Sequence, residues 1–164
     1  MSISRLIQNI RDGLSRSIIS ENVYMVSGIE SVLDSANLNI LFITTEEIGC
    51  VVSINGTGNT KIEFFEGTTV SADGSEETLF NMRRSSSETP STTVFTGPTV
   101  LADGTLIHEI FINAGEKNNA LGLASSSEIP IILKLGTKYL LRAQNLSGST
   151  TTMSWDSLIS ENIE

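Results

Sequence analysis

One cysteine, one histidine, one tryptophan and three prolines are all that 164 residues contain of those types, and the first two scarcities each narrow the chemistry. The lone Cys50 forbids an internal disulfide, in keeping with a reducing compartment. It stands in "IGCVVSI", an apolar strand-like run, where a small core residue is expected and not a reactive thiol. The lone His108 leaves Ser-His-Asp and Cys-His catalysis with one candidate base. In "TLIHEIFIN" it shares a strand face with Leu106, Ile110 and Ile112, the place of a core or subunit-interface histidine. With no Cys/His cluster, a zinc site is not expected.

Long apolar runs are also missing. None reaches the roughly 18 residues that crossing a bilayer needs, so no membrane association is expected. The opening "MSISRLIQNIRDGL" has no h-region, and the chain is expected to stay in a cytosol until something assembles it. Basic residues are few, 10 against 19 acidic ones, for a net charge of −9 and a pI near 4.5. Nucleic acid, whose phosphates need Lys and Arg, is not an expected partner. Hydrophobic content of 39% and a mean hydropathy of +0.09 exclude a disordered chain. The length suits one domain with a proper core.

What charge there is lies unevenly. Arg5, Arg11 and Arg16 face only Asp12 in the first turns of sequence, and the rest holds 7 basic and 18 acidic side chains. Within the basic leader, Ile3, Leu6, Ile7, Ile10 and Leu14 follow the spacing of one helical face. A short amphipathic helix is expected over residues 3–19, in an arm of residues 1–20. Such a short helix needs a surface to lie on, whether its own sandwich, a sister subunit or a shell of other chains. Its arginines favour an acidic partner, and these eight residues are read as an anchoring arm that contacts another chain.

Beyond the arm the period changes from 3.6 to two. "NLNILFITT" alternates, and "GCVVSI", "TKIEFFE", "ETLFNMR", "TTVFTGPTV", "TLIHEIFIN", "IPIILKL", "KYLLRAQNL" and "TTTMSWDSL" follow at short intervals, divided by "NGTGNT", "NAGEKNNALG" and "LSGST". Eight to ten such strands predict an all-β antiparallel sandwich or barrel over residues 21–164. Pro98 and Pro130 belong at strand starts or edges, because proline cannot donate to a ladder.

One phrase occurs twice: "GTTVSADGS" from Gly67 and "GPTVLADGT" from Gly97. Each carries an Asp-Gly pair before a returning strand, the signature of a tight hairpin. "ADGTLI" has no acidic ligand beyond Asp103, so a duplicated calcium loop does not fit. The repeat therefore reads as two equivalent, pseudo-symmetric turns that serve folding, with Asp73→Asn and Asp103→Asn nearly silent. "NGTGNTK" lacks the phosphate-loop pattern and reads as a hairpin loop. Trp155, Tyr24 and Tyr139 are thin provision for a sugar platform, although sequence spacing does not exclude paired carboxylates for glycoside chemistry. "NMRRSSSETPSTT" is polar, and its Arg83 and Arg84 suit pairing with carboxylates of a neighbouring loop or subunit. In the last hairpin, Tyr139 and Leu141 share one face and Arg142 takes the other.

Taken in order, "FFEGTTVSADGSEETLFNMRRSSS", "TTVFTGPTVLADGTLI" and "KYLLRAQNLSGSTTTMSW" resemble a family of small virion structural proteins of tailed bacteriophages. The resemblance spans residues 60–156, rests on turns and strands, and leaves residues 1–36 outside. Such proteins are similar to head decoration, or cement, proteins. The resemblance implies a jelly-roll-like sandwich, often a homotrimer, located in the virion on the capsid surface. It also implies a partner that is the major capsid protein or another virion protein, and neither catalysis nor a cofactor. Arg83, Arg84 and Arg142 are then candidates for the subunit interface. A tail, neck or fibre component remains open, as does a carbohydrate-binding adhesion module that takes a surface glycan.

Overall fold

The computed structural model describes residues 21–56, 58–113 and 125–161, with backbone alone for 125–130. The expected helix over 3–19 lies outside the described residues. Those described are all-β and contain no helix. In chain order the strands are β1 (Val23–Val32), β2 (Asn37–Ile43), β3 (Ile48–Gly56), β4 (Thr60–Glu66), β5 (Thr69–Ala72), β6 (Ser75–Glu76), β7 (Phe80–Asn81), β8 (Thr93–Thr96), β9 (Thr99–Ala102), β10 (Thr105–Ile112), β11 (Ser125–Leu133), β12 (Lys138–Asn145) and β13 (Thr151–Ser160).

Two antiparallel sheets form a sandwich. One has the order β11-β3-β13-β1-β7 and the other β10-β4-β12-β2-β8-β6. Alternation decides which side chains meet between them. Ile48, Cys50, Val52 and Ile54 of β3 point inward with Met153, Trp155 and Ile159 of β13. Ile40 and Phe42 of β2, Ile62 and Phe64 of β4, and Tyr139 and Leu141 of β12 meet them from the second sheet. Phe64 stacks on Tyr139 at 5.8 Å between ring centres, and Phe42 meets Phe64 edge-on.

Most of the strand runs expected from alternation are present, but β1 was not among them. Its period is broken by Gly28, which pairs with Trp155 across the ladder. A Cβ on Gly28 would lie 2.5 Å from Trp155 Nε1, so the bare backbone makes room for the one indole of the chain. Pro98 lies just ahead of β9, and Pro130 lies in β11 at the edge of its sheet.

The doubled phrase has an unexpected geometry. β5 and β9 pair antiparallel as a separate two-stranded ribbon. The strand after each Asp-Gly pairs with the other copy's sheet strand, β6 with β8 and β10 with β4. Neither Asp-Gly closes a hairpin; each is a corner where the chain crosses the second sheet. The copies are nonetheless equivalent. Gly67 N donates to Lys138 O at 2.9 Å, and Gly97 N to Asn39 O at 3.1 Å, each to its neighbouring strand. The expected pseudo-symmetry is present, with crossings in place of hairpins.

This ribbon accounts for a second layer of burial. Leu41, Leu140 and Phe65 point away from the main core, on the ribbon side, and are buried all the same. Both corners are tied to β12 by ion pairs, Asp73 to Lys138 Nζ at 2.7 Å and Asp103 to the guanidinium of Arg142.

Candidate functional site

The groups that could do chemistry are mostly engaged inside the fold. Cys50 is buried, with Sγ 3.2 Å from Ser157 Oγ, and desolvation pushes its thiol up to about 12. The expected core thiol is thus what the fold contains. His108 is exposed, so of its two expected places the core is excluded and a subunit interface is not. A β-bulge between Leu106 and His108 puts these two on opposite faces, Leu106 opposite Phe65 and His108 opposite Phe64. Ile110 and Ile112 alone of that expected face reach the core. Among the described residues, no group of three or more His, Cys, Asp or Glu side chains is placed to hold a metal.

Carboxylates fasten loops. Glu161 is buried and accepts from the backbone amides of Ser91 and Thr92, the latter at 2.8 Å. Glu66 accepts from Lys134 Nζ at 2.7 Å and from Tyr139 Oη at 3.0 Å. The hydrogen bond from Lys134, and then that from Tyr139, hold its carboxyl below the usual range against the opposing effect of burial. Burial in turn raises the Tyr139 phenol. Asn145 donates through Nδ2 to the carbonyls of Val32 and Ser149 and accepts from Ser147 N, which closes the last hairpin.

The three candidate interface arginines are not brought together. Arg83 pairs with the carboxylate of Glu21 in its own chain. Arg84 lies over the Phe80 ring, 5.2 Å from its centre. Arg142 makes a bidentate contact with Asp103, one arm from Nη1 to Oδ2 at 2.9 Å, and stacks over Phe65. Its side chain is 16% exposed, and its guanidinium holds the ribbon corner. The candidate arm residues Ile3, Arg5, Leu6, Ile7, Ile10, Arg11, Leu14 and Arg16 lie outside the described residues.

A groove of about 460 Å³ opens beside Glu30, Leu33, Asn37, Asn39, Gly74 and Thr96. It has no aromatic wall. Trp155, Tyr24 and Tyr139, the rings on which a sugar would stack, are all buried. Exposed apolar side chains are the more prominent surface feature, and alternation alone did not single them out. On the ribbon side, Leu101 is 70% exposed and Phe111 49%, with Leu106 and Ile107 between them in sequence.

No protein-family model matches the chain, and no curated protein matches it. Among solved structures, the crystal structure of Yersinia pseudotuberculosis-derived mitogen (YPM) is similar with a TM-score of 0.44 and 10% sequence identity, over 85% of this chain and 89% of that one. A likeness this slight carries no argument about function.

Proposed function

We propose that the protein is a non-enzymatic structural component of a tailed-bacteriophage virion, a jelly-roll-like sandwich that decorates the exterior of the head and reinforces it. The observation that carries this reading is the apolar surface of β9 and β10, where Leu101, Leu106, Ile107 and Phe111 stay exposed on a frame whose polar groups are largely tied to one another. Clustered apolar exposure marks a contact with another protein. The sequence resemblance supplies the partner, the major capsid protein.

Reinforcement then follows from linkage. A protein that binds the assembled lattice and not its dissociated subunits shifts that equilibrium toward the shell. Repetition over equivalent sites adds avidity. Immunolabelling of intact particles of the encoding phage tests the location: label over the whole head is expected, and label confined to the tail or neck would replace the decoration reading. Leu101→Glu should weaken co-sedimentation with purified heads without changing Trp155 emission. Binding to a glycan array in place of heads would favour the adhesion module.

A further inference from the structure

Residues 82–92, between β7 and β8, are tied to the body by carboxylates from three separate places in the chain. Glu21, just before β1, takes Arg83 in an ion pair and accepts from Ser86 Oγ at 2.6 Å. Glu46, in the turn between β2 and β3, accepts from Ser91 Oγ at 2.6 Å. Glu161, just after β13, accepts from the amides of Ser91 and Thr92 at 3.0 and 2.8 Å. Hydrogen bonds to carboxylates are about twice as strong as neutral ones.

The segment itself has little to bury. From Arg83 to Thr92 it reads "RRSSSETPST", with Pro90 its one apolar side chain, and most of it is exposed. Arg84 rests on the Phe80 ring and Thr45 Oγ1 donates to Ser91 O. The far end carries a defect: Thr92 is fully buried, and its Oγ1 meets no partner among the described residues. A buried unpaired hydroxyl raises the free energy of the closed form, and water relieves it on opening. Few apolar contacts and an unsatisfied group place a segment at the low-stability end of a fold. Beside it lies Tyr24, buried and paired with Asn81 across the ladder. Burial raises its phenol first, then the charge of Glu161, with Glu88 and Glu21 adding to the effect. Two of these carboxylates are clasps and Glu88 belongs to the segment, so the ring is next to what they fasten. A recess of about 440 Å³ adjoins the far end, lined by Leu79, Pro90 and Thr92 with Glu76 and Glu77.

We infer that residues 82–92 form a strap that opens as one unit when its carboxylate clasps let go, and that opening uncovers Tyr24 and the recess beside Leu79. The clasps are coupled through the chain between them. Loss of one leaves the others to order a longer free segment, at more conformational entropy for fewer bonds. The strap stands independently of the virion reading.

Amide hydrogen exchange of the full chain, resolved by residue, tests it. Glu161→Gln should speed the amides of Ser91 and Thr92 about tenfold or more, since exchange follows the population of the open form. The same factor is expected at Ser86 and Glu88, whose amides bond to Arg83 O and Ser86 Oγ and not to Glu161. Glu21→Gln, at the other end, should speed Ser91 and Thr92 in turn. Leu140, fully buried in β12 between β2 and β4, should keep its rate. In both variants tetranitromethane should nitrate Tyr24 and spare Tyr139, which stays in the core. Acceleration confined to the amides that the substituted carboxylate itself holds overturns the strap, because the ties are then separate. A Tyr24 that stays as unreactive as in the parent overturns it too. Should Glu161→Gln speed Leu140 as much as Ser91 and so loosen the whole fold, Glu21→Gln decides alone: faster exchange at Thr92 with Leu140 steady supports the strap, and any other result refutes it.

Discussion

Two residues show how environment and not type sets behaviour here. Cys50 has a strand neighbourhood that is apolar in sequence, and the fold completes it by enclosing the thiol beside Ser157. With the thiol pushed up to about 12, little thiolate exists at neutral pH, and reagent reaches it only through opening of the sandwich. A disulfide reagent in native buffer should therefore label Cys50 slowly, at a rate that follows global unfolding, and label it at once in denaturant. Fast native labelling would contradict the burial. Asp103 and Asp73 occupy matching places in the repeat, yet their partners differ. Asp103 receives a bidentate guanidinium whose hydrogen bonds hold its carboxyl below the ordinary 3.8, against some desolvation. Asp73 meets a single lysine, both side chains more than a third exposed. Asp103→Asn should cost about 1 kcal/mol and Asp73→Asn less than about 0.5. The expectation that both would be silent fails at Asp103, because a turn preference says nothing of a distant cation. A carboxyl with a depressed value stabilises above 3.8 and loses that contribution as pH falls through the folded value. The stability gap between the Asp103→Asn variant and the parent, read by Trp155 emission during denaturation, should therefore close below pH 3.8.

At the scale of elements, legibility follows how local the cause is. β4 and β12 could be read because alternation within a single run decides which face is buried. β1 could not, since Gly28 looks like a breaker until Trp155 of a strand far away in sequence fills its place. The β5–β9 ribbon was half legible: the duplication and its equivalence were visible, but the crossing depends on which strand each half returns to. The corner glycines carry that information in their packing. A Cβ on Gly104 would lie 2.3 Å from Glu66 O, and one on Gly74 2.2 Å from Thr96 O, each at the start of the other copy. Both have φ near +100°, at 90° and 101°, so a side chain meets strain as well as collision. Gly104→Ala and Gly74→Ala should each cost about 2–4 kcal/mol. Gly97→Ala, with open space around the added carbon, should cost about 1 kcal/mol. Equal losses at all three positions would mean that backbone strain alone matters and that the interlocked packing does not.

For the whole molecule, the surface poses a question that the core does not. A sandwich with both inner faces filled and a ribbon over one outer face has closed most of its apolar area, so the rows it leaves open call for partners. The β9–β10 surface has no partner among the described residues, and it lies on the side where β10 forms an open sheet edge. An eight-residue edge strand with exposed Leu106, Ile107 and Phe111 invites pairing unless something covers it. The bulge at Ile107 turns Leu106 outward, which alternation in the sequence does not show, whereas Phe111 faces away from Ile110 and Ile112 by alternation itself. If the chain assembles as a homotrimer, the copies would meet along this β10 edge and leave Leu101 of β9 to face the head, with Arg142 and Arg83 already holding Asp103 and Glu21. Sedimentation velocity of the full chain should show a trimer that Ile107→Lys and Phe111→Lys dissociate, while Arg84→Ala leaves it intact. A monomer at every accessible concentration and on particles would exclude the trimer. A trimer that survives both lysines but falls apart on loss of Arg84 would return the interface to the polar segment after β7.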